Sequence, residues 1–134
     1  MIVGIGSDLT NIERVGDTIK KYGTRFLNKI FSKAELAEMS RREHISEREY
    51  YCMAAKRFAA KEACSKALGT GLRNGTYWRN MEVIHLSTGK PTLKLTGSAF
   101  KNAQKLCREK NANIQLTMTD DYPWAQAFVV IEAI

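Results

Sequence analysis

Long hydrophobic runs are missing from this sequence. Apolar stretches stop at about six residues, as in Tyr50 to Ala55, against the roughly 18 that a membrane-spanning helix needs. No basic segment precedes an apolar one at the N-terminus, so no signal peptide is expected. Cysteine is scarce and odd in number. Cys52, Cys64 and Cys107 offer no Cys-x-x-Cys spacing, which excludes a disulfide framework and a thiolate zinc site and points to the reducing cytoplasm. The only histidines, His44 and His85, stand far apart without ligand-spaced companions. Repeats, linkers and low-complexity segments are also lacking.

What is present is an ordinary globular composition. Of 134 residues, 44% are hydrophobic and 26% charged, which excludes wholesale disorder and suits a single domain spanning 1–134. Lys and Arg number 21 against 14 Asp and Glu, a net charge of +7. The excess falls on residues 11–66, with 13 basic and 8 acidic groups, and on 67–113, with 8 and 2. A basic body calls for an anionic partner: a nucleic acid, a phosphorylated ligand, an acidic protein or a membrane surface.

The pattern along the chain predicts a strand over 1–7, then a helix opened by a Thr10–Glu13 capping box and closed at Gly23. A second box, Ser32–Glu35, opens another helix, and 40–49 reads as a loop or an exposed helical extension. An alanine-rich helix is expected over 50–68, ending at Gly69-Thr70-Gly71. Strands over 81–86 and 92–95 are joined by a turn through Gly89-Lys90-Pro91. A helix over 98–110 carries Phe100, Ala103 and Cys107 on one side. Two last strands alternate around a turn at 120–123. The fold class is α+β: one small domain, a mainly antiparallel sheet in a single layer, with helices packed on one face.

Three residues stand out chemically. Asp8 follows a glycine-punctuated strand in Gly4-Ile5-Gly6-Ser7-Asp8. Either the glycines leave room for a ligand at this carboxylate, or Asp8 opens a turn or caps the first helix. Glu62 and Lys66 share one helical face, either as a solvent-facing ion pair or as part of a site. Small side chains at Ala59, Ala60 and Ala63 suit close approach by another group. Two carboxylates and a lysine would serve Mg²⁺ on a phosphate. Asp120 and Asp121 read as turn residues. Gly89-Lys90 is no phosphate loop, because the glycine and Ser/Thr that motif requires are absent. Arg14, Lys20, Lys21 and Arg25 form a basic stripe, either a solvated face or a docking surface.

Together the blocks resemble the holo-[acyl carrier protein] synthase family of 4′-phosphopantetheinyl transferases. The matching segments are Gly4-Ile5-Gly6-Ser7-Asp8 with Glu13-Arg14, and Arg57-Phe58-Ala59-Ala60-Lys61-Glu62-Ala63 with Ser65-Lys66-Ala67. Gly69-Thr70-Gly71, Gly89-Lys90-Pro91 and Trp124-Ala125-Gln126-Ala127 follow in the family's order, across nearly the whole chain. The resemblance implies transfer of the phosphopantetheine arm of coenzyme A to a serine of an apo-acyl carrier protein, releasing adenosine 3′,5′-bisphosphate. It implies Asp8 and Glu62 as Mg²⁺ ligands, with Lys66 close to the phosphates. It also implies Arg57, Gly69, Gly89, Lys90 and Pro91 as parts of the coenzyme A pocket, and a homotrimer with sites between subunits. Arg14 matches the family's docking arginine for the acidic carrier; Lys21 and Arg25 join it by position and charge. Many relatives carry Ser-His where this chain has Thr119-Asp120, and one branch is acidic there, so Asp120 receives no phosphate-contact role. Glu62 is the nearest candidate for the general base. Two rival classes compete. A small RNA-binding module has no use for Asp8 and Glu62 and would need stacking aromatics on a strand. A non-catalytic coenzyme A-binding protein would keep the pocket without turnover. Neither nucleic acid nor membrane is expected as a partner.

Overall fold

The computed structural model describes residues 1–41, 45–72 and 77–134. His44, and with it part of the expected 40–49 loop, lies outside the described residues. Strand β1 (Ile2–Asn11) is longer than its apolar start predicts, because antiparallel pairing with β5 (Trp124–Ala133) continues to Asn11 opposite Trp124. That extension displaces the expected Thr10–Glu13 capping box. Thr10 stays in the strand, and Asn11 caps α1 (Ile12–Tyr22) by accepting the Arg14 amide at 3.2 Å. Gly23, at φ +56°, ends α1 as expected. The chain then turns straight into α2 (Thr24–Ile30), a two-turn helix with no counterpart in the expected order.

The Ser32–Glu35 box forms in both directions and opens α3 (Lys33–Ser40). Helix α4 (Glu47–Leu68) begins three residues before Tyr50, because the Ser46 hydroxyl accepts the Glu49 amide and starts the helix earlier. It ends at Gly69 in the left-handed conformation, φ +78°. A 3₁₀ turn (Trp78–Asn80) leads into the hairpin of β2 (Met81–His85) and β3 (Pro91–Leu95). Helix α5 (Gly97–Leu106) turns Ala99 and Ala103 inward; Phe100, expected beside Ala103 and Cys107, is 49% exposed. Strand β4 (Ala112–Asp121) runs on through Asp120 and Asp121, so the final turn is Tyr122 and Pro123 alone.

Every strand pair is antiparallel, as expected, and the strands fall into two hydrogen-bonded sheets, β1-β5-β4 and β2-β3. The short hairpin leans on the larger sheet through the Thr92 hydroxyl, which donates to the Ile114 carbonyl at 3.0 Å.

Helix α4 lies across β1 and β5 and supplies the largest share of the core. Ala59, Ala63 and Ala67 meet Ala127, Val129 and Ile131, all buried. The approach is close because β1 has no side chains in the way: a Cβ on Gly6 would overlap the Ala63 carbonyl oxygen, and one on Gly4 that of Ala67. The glycines therefore make room for α4 rather than for a ligand. A second cluster around Ile12, Phe31, Met39 and Ala54 joins α1, α2 and α3 to the front half of α4. The opposite face of the large sheet stays open, with Ile5, Leu9 and Phe128 exposed.

Candidate active site

Two elements bring three of the candidate side chains together. Asp8 is in mid-strand, opposite Ala127, rather than at a strand end or a helix cap. Even-numbered positions of β1 face α4, so the alternation that points Gly6 into the helix also points Asp8 toward it. From α4, Lys66 Nζ donates to the Ser7 carbonyl at 3.0 Å and to Asp8 Oδ1 at 3.3 Å. Thr10 Oγ1 donates to Asp8 Oδ2 at 2.6 Å, so each carboxylate oxygen has a donor. Lys66 thus pairs across elements with Asp8 rather than along its own helix with Glu62.

Glu62 sits half-buried beside this pair. Burial, and then the nearby Asp8 carboxylate, push its carboxyl pKa up, against a smaller opposing pull from Lys66. Two neighbouring carboxylates are hard-oxygen donors whose shared negative charge a divalent cation would relieve. Among the described residues no three or more His, Cys, Asp or Glu side chains gather. A cation held by Asp8 and Glu62 would therefore complete its shell with water and phosphate oxygens, as Mg²⁺ does.

Asp8 and Glu62 open into a cleft of about 380 Å³ shared with Thr10, Arg14, Phe26 and Phe58. Arg14, in the first turn of α1, stands at its rim because the Asn11 cap starts the helix beside β1. Lys21 and Arg25 are exposed on α1 and α2, on either side of Gly23; the Lys21 ammonium lies over the Tyr22 ring. The sequence assigns Phe26 no role, and it marks Phe58 only as part of the Arg57–Ala63 block, not as a wall of the site. Phe58 precedes Glu62 by four residues, one helical turn, and that spacing was the available signal. Phe26 belongs to the helix that was not anticipated.

The other anticipated positions do not line this cleft. Arg57 is buried and borders a small hollow with Glu38, Lys56, His85 and Met118, and Nη1 donates to the Met53 carbonyl. Gly69 caps α4. Gly89, at φ +87°, turns the β2-β3 hairpin, where Lys90 donates to Gln115 Oε1 at 2.7 Å and Pro91 begins β3. His85 ends β2. Asp120 is paired with Lys56 at 3.1 Å, and hydrogen bonding to that ammonium lowers its carboxyl pKa.

The description of the 4′-phosphopantetheinyl transferase superfamily matches residues 4–127. A holo-[acyl-carrier-protein] synthase of Bradyrhizobium sp. (strain BTAi1) is 53% identical over 135 residues, which cover 100% of this chain and 96% of that protein. The crystal structure of holo-[acyl-carrier-protein] synthase from Neisseria meningitidis matches with a TM-score of 0.80 at 36% identity, over 98% of this chain and 99% of that one. A holo-(acyl-carrier-protein) synthase from Bacillus anthracis, solved in complex with CoA (3′,5′-ADP), matches with a TM-score of 0.75 at 28% identity, over 100% and 99%. The chain therefore belongs to the 4′-phosphopantetheinyl transferase superfamily, in its holo-[acyl-carrier-protein] synthase branch, and is an enzyme.

Proposed function

We propose that this protein moves the 4′-phosphopantetheine arm of coenzyme A to a serine of an apo-acyl carrier protein and releases adenosine 3′,5′-bisphosphate. The observation that carries this reading is the meeting of Asp8, Glu62 and Lys66, from two elements, beside an open cleft that Asp8, Glu62 and Arg14 line. In the transfer, the serine oxygen forms a bond to the phosphorus that bears pantetheine. The bond from that phosphorus to the bridging oxygen breaks, and the bisphosphate leaves with the electron pair. Mg²⁺ held by Asp8 and Glu62 would neutralise charge on the pyrophosphate as the leaving oxygen gains it. Lys66 adds a positive point charge beside Asp8. Glu62, with its raised pKa, is the group best suited to take the serine proton, directly or through water.

Arg57, Gly89, Lys90 and Pro91 then bind coenzyme A from a neighbouring subunit, while Gly69, three residues after Lys66, serves from the same one. Supporting this are the absence of Arg57, Gly89, Lys90 and Pro91 from the lining of the Asp8 cleft and the open face of the large sheet. Ile5 and Leu9 are 62% and 61% exposed there, an apolar surface suited to a second copy of the chain. The family resemblance makes the assembly a homotrimer. The free cysteines suit a cytoplasmic setting.

Magnesium-dependent incubation with coenzyme A and an apo carrier protein, followed by intact mass, tests the activity. Gain of one phosphopantetheine arm supports it, and an unmodified carrier overturns it. Mixing inactive Asp8→Ala with inactive Arg57→Ala subunits tests the shared site: recovered activity supports it, and none after subunit exchange refutes it.

A further inference from the structure

Resting on that function, we propose that Lys61 and Glu35 are positioning residues: their buried ion pair sets the place of Glu62 against the aromatic walls of the cleft. Lys61 directly precedes Glu62 on α4, yet it faces the opposite environment, with no exposed surface at all. Its ammonium has three protons and uses them on three separate elements. Nζ donates to the Ile30 carbonyl at the end of α2 (2.9 Å), to Glu35 Oε1 on α3 and to the Trp78 carbonyl of the 3₁₀ turn (3.2 Å). Glu35, 1% exposed, completes the set. Oε1 also accepts the Ser32 amide at 3.0 Å, and Oε2 accepts the Val83 amide of β2 at 3.2 Å.

Stability alone is a weak reason for such a pair. Desolvating two charges is costly, and a well-packed apolar replacement often serves stability as well or better. What apolar contacts do not supply is direction, since they tolerate sliding and rotation that three hydrogen bonds from one nitrogen do not.

The elements tied down are those that shape the cleft. Ile30 ends the helix carrying Phe26, which lines the cleft with Glu62. Trp78 stacks on Phe58 with ring centroids 4.9 Å apart, and Phe58 lines the same cleft one turn before Glu62. Lys61 therefore links the azimuth of α4, and with it Glu62, to both aromatic walls, while touching neither substrate nor metal.

The test compares the parent with Lys61→Met and with Lys61→Met/Glu35→Gln, which removes both charges and leaves no carboxylate buried alone. Each protein is assayed for carrier modification well below its own unfolding midpoint. Displacement of a catalytic group by about an ångström can cost on the order of 10²-fold. The expected result is a kcat loss of that order with the KM for coenzyme A nearly unchanged and the folded fraction intact. Parental kcat in either folded variant overturns the proposal. So does a loss that follows the unfolded fraction, or failure of both variants to fold, since the network would then be a folding determinant only. A parent without transfer activity overturns the proposed function itself, and this role with it.

Discussion

The Lys66 ammonium lies 3.3 Å from the Asp8 carboxylate, although 58 positions separate them in the chain. Strand β1 and helix α4 approach closely enough for this contact because Gly4 and Gly6 present only hydrogen to the helix. One packing event thus builds the core and assembles the charged centre.

That contact separates two roles for Lys66. Its side chain is 53% exposed, so as a simple ion pair it would add only about 0–1 kcal/mol to stability. As a stabiliser of developing phosphate charge it is worth more. Lys66→Ala is expected to cost at least ~2 kcal/mol in kcat/KM while stability changes little. A kinetically silent Lys66→Ala, measured by steady-state carrier modification, would leave only the ion pair.

Asp8→Ala and Glu62→Ala should each lower kcat by on the order of 10²-fold or more and leave the fold in place. Circular dichroism checks the fold, and a magnesium titration of the residual rate checks the mechanism. Near-normal turnover at saturating Mg²⁺ in either variant contradicts metal binding by the pair.

Glu62 also predicts a pH effect on stability. Its folded pKa is raised by burial and by Asp8, so its proton is held more tightly folded than unfolded. The stability it contributes is fully present below the ordinary glutamate pKa and is lost as pH rises through the raised value. Without metal, Glu62→Gln should melt at a higher temperature than the parent near neutral pH, and the gap should close as the pH falls to the ordinary carboxyl range. Thermal unfolding at several pH values measures this. A parent as stable as the variant at neutral pH would contradict it.

Gly6 is a structural requirement without any chemistry of its own. A methyl group there overlaps the Ala63 carbonyl, which belongs to backbone and cannot swing aside. Gly6→Ala is expected to destabilise by at least ~2 kcal/mol, at the heavier end of overpacking costs. Urea denaturation decides it, and a loss of a few tenths would mean that α4 yields easily.

Carrier docking is predicted to depend on Arg14 more than on Arg25, because only Arg14 borders the cleft. Arg14→Ala and Arg25→Ala should raise the carrier's KM and flatten its dependence on ionic strength, with the KM for coenzyme A nearly unchanged. If charge reversal at both positions leaves the carrier's KM and salt response untouched, the docking face lies elsewhere on the basic body.

Local signals were legible where a short segment decides its own conformation. Ser32 and Glu35 form the box their spacing predicts, and α4 ends at the expected glycine break, with Gly69 in the left-handed conformation. Thr10 and Glu13 have the same spacing and form no box, because pairing with β5 holds Thr10 in the strand. The sequence alone carried the antiparallel α+β class, the choice of Asp8, Glu62 and Lys66 as site candidates, and the positive charge of Arg14. Only the tertiary structure decided that Lys66 answers Asp8 rather than Glu62, that the glycines admit a helix, and that Lys61 is wholly buried. The reason is physical: a residue's spacing sets which face of its own element it occupies, whereas its partner is set by packing between elements far apart in the chain.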